Sequence, residues 1–476
     1  MSRIGYRRLV AVALVAGIGL TGAACSSDKK DDGGGKPSSS SSGSGSSSGD
    51  SAAAPLDPKT KVTISVDCEP PTTKKAERQQ WIDDVAEFNK TYPNVTVNSK
   101  DAFPCEDPAK FTAQLQAGSE TDTFYTYMTD LQQVLDAGQA ADISAYVNDK
   151  TVPNLADIDP GVLNVLKDGG KLYGLPTSNY QMGLIYNRKI FTDAGLDPNK
   201  PPTTWDEVRQ DAKVIQDKLG SKGINGYMDN SAGNQGGWHL VSEMYGVGSK
   251  AVDDSGQKAA FNDDGTKSVL TTLHDMRWTD KSMPATPGLQ WGDVQKAMGT
   301  GKIGMYVGAP DDIPLVVQQY KAKFEDIGMA PIPGGKTALF GGADYMFKKS
   351  ASPDQIKAGI AWINFKFLTL EKGQFNYPRN KADGLPVGLP QPFFFTGASK
   401  AKDTETKTAN ATVPVENFKS YVDAQVPVLP EPPNAQKIYT VLDSVMSGVL
   451  TNKNADISKL LSTAETQVNQ LLAASQ

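Results

Sequence analysis

Apolar and polar residues alternate over Val62, Ile64 and Val66 in KVTISVDC, the period-two spacing of a half-buried strand. The period then changes. Trp81, Ile82, Val85 and Phe88 recur at helical spacing, and Pro93 stops the helix near Asn89–Tyr92. Residues 94–97 predict a second short strand. The segment therefore reads strand, helix, strand, the unit whose right-handed crossover builds parallel sheets. Residues 123–128 predict another strand and 131–137 a helix. Thr204 and Glu207 have capping-box spacing at the start of the helix that opens at Trp205. Val441, Leu442, Val445, Met446, Leu460, Leu461, Val468 and Leu471 mark two helical patterns between Ile438 and Leu472. The pattern predicts an α/β fold, and no internal repeat is visible.

One stretch departs from this regularity. Leu184, Ile185 and Tyr186 read as buried strand, yet Thr177, Ser178, Asn179, Tyr180 and Gln181 stand immediately before them. A core strand has no use for five polar-tipped residues in succession. A segment crossing an open, wet cleft does.

Composition divides the chain. Arg3, Arg7 and Arg8 precede the apolar run Leu9–Leu20, which is shorter than the roughly 20 residues needed to span a bilayer. This reads as a secretory signal over residues 1–24. LTGAACSS resembles the lipobox of bacterial lipoproteins, with Gly22 where leucine is usual; the resemblance implies lipidation of Cys25. The alternative is an ordinary signal with an incidental cysteine. Residues 25–58, rich in Lys, Asp, Gly and Ser, predict a flexible tether with a reach on the order of 30 Å. The remainder is too long for one simple core and predicts two lobes.

There are 3 cysteines. If Cys25 carries lipid, Cys68 and Cys105 remain as a pair. In an exported protein that pair is expected to be oxidised, contributing about 4 kcal/mol by the chain-entropy argument. Two buried thiols are the alternative. Net charge is −6 with no basic patch, which argues against a nucleic-acid partner.

Catalytic chemistry finds little support. The chain has 2 histidines, His239 and His274. No nucleophile elbow, H-E-x-x-H pair or phosphate-binding loop appears. A pair of glycosidase carboxylates is open among 54 acidic residues. The reading is a binding protein rather than an enzyme, with no cofactor and no metal.

The segments WIDDVAEFNKTYPNVTV, LDAGQAADIS, KLYGLPTSNYQMGLIYNRKIFTDAGL, PPTTWDEV, VQKAMGTGKIGMYVGAP and FGGADYMFKKSASPDQIKAGIAWINFKFL occur in an order that resembles the family 1 extracellular solute-binding proteins of ABC importers, the maltose-binding-protein-like group. SETDTF departs locally, lacking the usual proline before the aspartate. The resemblance implies two α/β lobes joined by crossing segments and closing on a ligand in the cleft between them. The first lobe would be 59–178 with 341–395, the second 179–340 with 396–476. Residues 173–187 would cross first, 341–345 would return, and a third crossing would fall near 388–397. It implies capture of an extracellular sugar or oligosaccharide by a monomer, lipid-anchored at the extracellular face of the cell membrane, and delivery to ABC permease subunits in the membrane. A non-sugar solute such as a peptide, or delivery to a sensor system, is the alternative.

A sugar site needs aromatic faces and fixed polar groups. Trp238, among glycines, is a candidate stacking residue, or else core. Tyr180 and Asn179 lie on the first crossing, Asp344 and Tyr345 on the return. Asp130 stands past a strand end, where parallel sheets form ligand crevices, or else caps the following helix. Trp291 and Glu69 complete the candidates. Trp205 is expected as a helix-start staple and Trp362 as core. Gly341 and Gly342 are expected where backbone approaches closely.

Overall fold

The computed structural model describes residues 52–104, 107–392 and 394–474. The signal segment, Cys25 and Cys105 lie outside the described residues. Of the tether, residues 52–58 are described. They pack rather than hang free: Leu56 is buried in the first core, and Asn94 Nδ2 donates to the Asp57 carbonyl.

Two sheets organise the body. The first contains β1 (Val62–Val66), β2 (Val95–Ser99), β3 (Thr123–Tyr127), β6 (Gly174–Gln181), β11 (Ala338–Phe347) and β12 (Val428–Pro430). β1 lies parallel to β2 and β3, as the strand–helix–strand pattern predicts, with helix Lys75–Thr91 as the crossover. β11 runs antiparallel to β3 and to β6. A two-stranded hairpin, β4 (Lys167–Asp168) and β5 (Lys171–Leu172), precedes β6. The second sheet has β7 (Gly183–Asn187), β8 (Asn225–Tyr227), β9 (Ile303–Gly308) and β10 (Ile327–Pro331), in the order β10, β7, β9, β8.

Each sheet is covered on both faces, because its strands send alternate side chains to opposite sides. On β11, Tyr345 and Phe347 enter the large first core with Trp81, Phe88 and Trp362, while Met346 joins Phe111, Phe124 and Val134 on the opposite side. On β7, Leu184 and Tyr186 face one core and Ile185 the other. The C-terminal helices Ala435–Thr451 and Ile457–Ala474 close the larger second core, in agreement with the sequence pattern. Thr204 and Glu207 form the capping box at Trp205, and Trp362 is fully buried.

Chain passages between the sheets define the hinge. β6 continues through Met182 directly into β7, and the chain returns from β10 into β11. The third passage is spread over a longer stretch than the first two. Helix Gly397–Ala409 rests against the first sheet's side, where Ser399 Oγ donates to Asp157 (2.6 Å) and the Tyr377 hydroxyl donates to Asp403 (2.5 Å). Leu389 already touches the second sheet's core, Phe394 and Phe395 return to the first, and the chain joins the second again at Val413, which packs with Phe418, Tyr421 and Ile185.

The two glycines of the return crossing are where backbone approaches closely. A Cβ on Gly342 would lie 2.2 Å from the Ser178 carbonyl, and one on Gly341 would lie 2.3 Å from Glu431 Oε1. Among the described residues, no helix is long and apolar enough to cross a membrane.

Candidate functional site: the junction of the crossing strands

Pairing of β6 with β11 sets Tyr180 opposite Gly341 and Asn179 opposite Gly342. A bulge interrupts the register between Ala343 and Asp344. Thr177 is the extra residue, and its hydroxyl donates to the Ala343 carbonyl (3.1 Å). The polar run is thus absorbed into a paired strand. Thr177 and Asn179 are buried, Ser178 is exposed, and Tyr180 is partly buried.

Tyr180 sits at the centre of a polar junction. Its hydroxyl donates to Glu431 Oε1 (2.6 Å), and the Tyr439 hydroxyl donates to Glu431 Oε2 (2.6 Å). Glu431 follows β12, so this carboxylate joins the first crossing to the entry of helix Ala435–Thr451. Burial pushes it above the ordinary carboxylate range, against the two phenol donors. The Tyr180 ring meets Trp238 edge-on, with centroids 5.9 Å apart and planes at 82°.

Trp238 occupies the first turn of helix Gln235–Gly246. Its neighbouring glycines serve packing rather than loop freedom: a Cβ on Gly237 would lie 2.2 Å from the Tyr439 carbonyl. Asp443 caps the helix start, accepting from the backbone N–H groups of Asn234 (2.7 Å) and Gly237 (2.9 Å). Beneath it, His239 is fully buried, with Nδ1 2.6 Å from Asp229 Oδ1.

Glu431 and Gly341 line a cavity of about 290 Å³. One wall is the segment Pro430–Asn434; the other is the turn after β3, including Met128, Thr129 and Gln132. Asp130 lies in that turn. Its carboxylate does not cap the following helix; it accepts from the Tyr127 N–H (3.1 Å). Burial pushes Asp130 up to about 7, the Tyr127 N–H opposes this, and the Glu431 charge adds to the rise. A larger hollow of about 500 Å³, bounded by Leu135, Asp142, Lys171 and Ile356, lies elsewhere, around the end of helix Leu131–Asp136. It meets the first crossing only at its start, Tyr173, whereas the smaller cavity holds Gly341 of the return crossing and Glu431 of the junction, so the smaller cavity is the candidate site.

The other candidates are dispersed. Tyr345 is 1% exposed, inside the first core, and its hydroxyl donates to the Asp67 carbonyl (2.9 Å). Asp344 is fully enclosed and accepts from Thr126 Oγ1 (3.0 Å); burial holds its carboxyl well above the ordinary range. Glu69 pairs with Arg78 (3.0 Å). Trp291 is 52% exposed, beside Leu289 on a loop packed against Ser231 and Gly233. Cys68 is buried just past β1, while its expected partner Cys105 is outside the described residues. Sequence reasoning missed Glu431 and Tyr439. The available signal was the single acid within PEPPN, immediately ahead of a strong helical pattern.

Two covered sheets, chain passages between them and a cavity at the passage lined by Glu431 and Asp168 define the architecture of a two-lobed solute-binding protein. Residues 72–375 match the family described as bacterial extracellular solute-binding protein, and the chain belongs to that family. It is similar to the sn-glycerol-3-phosphate-binding periplasmic protein UgpB of Brucella melitensis, at 24% identity covering 82% of this chain and 86% of that one. In fold it is similar to the GacH receptor of Streptomyces glaucescens, with a TM-score of 0.67 and 18% identity over 87% of this chain and 99% of the other. It also resembles the cyclic α-maltosyl-1,6-maltose binding protein of Arthrobacter globiformis, with a TM-score of 0.65 and 21% identity over 87% and 99%.

Proposed function

We propose that the chain captures a sugar or oligosaccharide at the hinge cavity and delivers it to an ABC permease, without catalysing a reaction. The observation that carries this reading is Glu431 in the cavity lining, held by Tyr180 and Tyr439, with Trp238 edge-on to Tyr180 behind it and Phe340 as the aromatic of the lining. Aromatic surface and fixed acceptors are what a pyranose needs. Solved relatives of the same fold include one with acarbose and one named for a cyclic maltose derivative. Binding works by population shift: a solute touching both walls favours the state in which the walls approach.

The remaining parts of the reading follow the sequence. Residues 1–24 are a signal peptide, Cys25 carries acyl chains, and a monomer is held at the extracellular face of the membrane. Cys68 and Cys105 form a disulfide. The lobes are 59–178 with 341–395 and 179–340 with 396–476, and the contacts of helix Gly397–Ala409 favour moving that helix to the first lobe. Trp238, Tyr180, Asn179, Asp130 and Trp291 are the further ligand contacts of this reading, none of them in the cavity lining itself. Asp344, Tyr345 and Glu69 act by shaping the first lobe.

The test is thermal shift and tryptophan emission against mono- and oligosaccharides, with amino acids and peptides alongside. A ligand at 100 times its dissociation constant adds about 2.7 kcal/mol of stability. Trp238→Ala is expected to weaken binding by more than about tenfold, roughly the loss of one aromatic contact, while the variant stays folded. Unchanged affinity removes Trp238 from the site. A response to peptides and none to sugars overturns the solute class.

A further inference from the structure

The cavity walls differ in what they offer a ligand. Pro430, Pro432 and Pro433 have no N–H, and the Glu431 N–H is taken by the Phe340 carbonyl (3.1 Å). The segment Pro430–Pro433 therefore presents carbonyls and one carboxylate, and no free backbone donor. Across from it, Thr129 Oγ1 is buried with no hydrogen-bond partner among the described residues. The one cation of the lining, Lys167, stands on the exposed hairpin and donates to Asn164 Oδ1 (3.1 Å).

Glu431 is held by two neutral phenols and no cation. Each carboxylate oxygen has more than one acceptor direction, so a single tyrosine on each leaves acceptor capacity beside the cavity. Asp168 is the second carboxylate of the lining, and the buried Asp130, in the turn of the opposite wall, is near enough for its titration to respond to the Glu431 charge. When the walls approach around a neutral solute, the two carboxylates oppose closure. A positive charge on the solute reverses the sign of that term. Burying a charge is favourable only when it is paired and hydrogen-bonded, and such a solute supplies the missing partner.

We propose that Glu431 is the specificity-determining residue of this cleft, and that it selects a carbohydrate bearing a free, protonated amine over its neutral counterpart. The proposal rests on the reading of the cavity as a carbohydrate site. The amine donates to Glu431 from within the cavity, Asp168 supplies the second carboxylate of the lining, and Phe340 and Met128 offer apolar surface to the ring.

The experiment is calorimetric titration of the full chain with matched pairs: glucosamine and glucose, galactosamine and galactose, and the β-1,4-linked glucosamine disaccharide and cellobiose. In at least one pair the amine is expected to bind about tenfold or more tightly than its neutral partner, and Glu431→Gln to bring that pair within about twofold, as loss of a charge-assisted hydrogen bond requires. Asp168→Asn, at the other carboxylate of the lining, is expected to reduce the preference in part. It decides the matter if Glu431→Gln does not fold, since an unchanged preference would then overturn the proposal. Equal or tighter binding of the neutral partners overturns the amine preference and leaves the carbohydrate reading standing. Binding of none of the six sugars overturns both.

Discussion

Asp84 and Glu431 are both carboxylates removed from bulk water, and they are satisfied in opposite ways. Asp84, on the first lobe's helix Lys75–Thr91, lies between two cations: Lys366 Nζ is 2.6 Å from Oδ2, and Arg379 contacts Oδ1. Lys366 also lies over the Trp81 ring at 5.4 Å. Glu431, at the junction, lies between two phenols. The first arrangement is charge-balanced and enclosed, and it can do little besides hold helix Lys75–Thr91 to the segment after β11. The second is hydrogen-bonded yet keeps its charge uncompensated beside a cavity. A carboxylate built for architecture brings its own counter-ion, whereas one built for recognition leaves that place to the ligand.

The sharpest way to break this comparison is to remove the first carboxylate. Asp84→Ala leaves Lys366 buried and Arg379 partly buried without their partner, and is expected to cost about 3–5 kcal/mol in denaturant unfolding. A loss below about 1 kcal/mol, the range of an exposed pair, would show that the pair is solvated and the contrast false. Next in size is Gly341→Ala. Its methyl would sit 2.3 Å from Glu431 Oε1 and 2.4 Å from the Tyr180 hydroxyl. The crowding is expected to cost about 1–3 kcal/mol and to displace both side chains, so affinity should fall more than stability. Wild-type affinity in this variant would separate Glu431 from the ligand.

The smallest effect is on pH dependence. Burial pushes Asp67 up to about 8 from 3.8, against hydrogen bonds that include the Tyr125 N–H. A carboxyl raised in the folded state gives its full stabilisation below its unfolded value and loses it as pH rises through the folded one. Stability should therefore decline between about pH 4 and 8, with Asp130, raised to about 7, contributing in the same direction. Asp67→Asn should flatten that decline in thermal unfolding scans. An unaltered slope would mean that Asp67 is ionised throughout.

The architecture was legible because it rests on periodicity. Alternation at Val62–Val66, the helical spacing of Trp81 and Phe88, and the polar run before Leu184 lead to the sheet, its crossover and the hinge that the structure contains. The site was legible only in part. Tyr180 and Tyr345 both lie on crossing strands, yet one reaches the junction and the other enters the core. Gly341 and Tyr345 are four residues apart on one strand; Tyr180, opposite Gly341, lies at the end of β6 beside the second lobe, while Tyr345 lies deeper in the first sheet, and the bulge at Thr177 sets the pairing between them. Nothing in the sequence marks where that extra residue falls. Glu431 was missed for another reason. A lone acid among prolines has the composition of a solvated loop, and its phenol partners come from 251 residues earlier and 8 residues later in the chain.

The central claim is that the hinge cavity holds the solute, and the most direct measurement is a crystal structure with the tightest-binding carbohydrate from the titrations. The account predicts a ring against Phe340 and Met128, with a donor on Glu431. A carbohydrate seated instead in the larger hollow around Asp142 and Lys171, with the junction untouched, would contradict it.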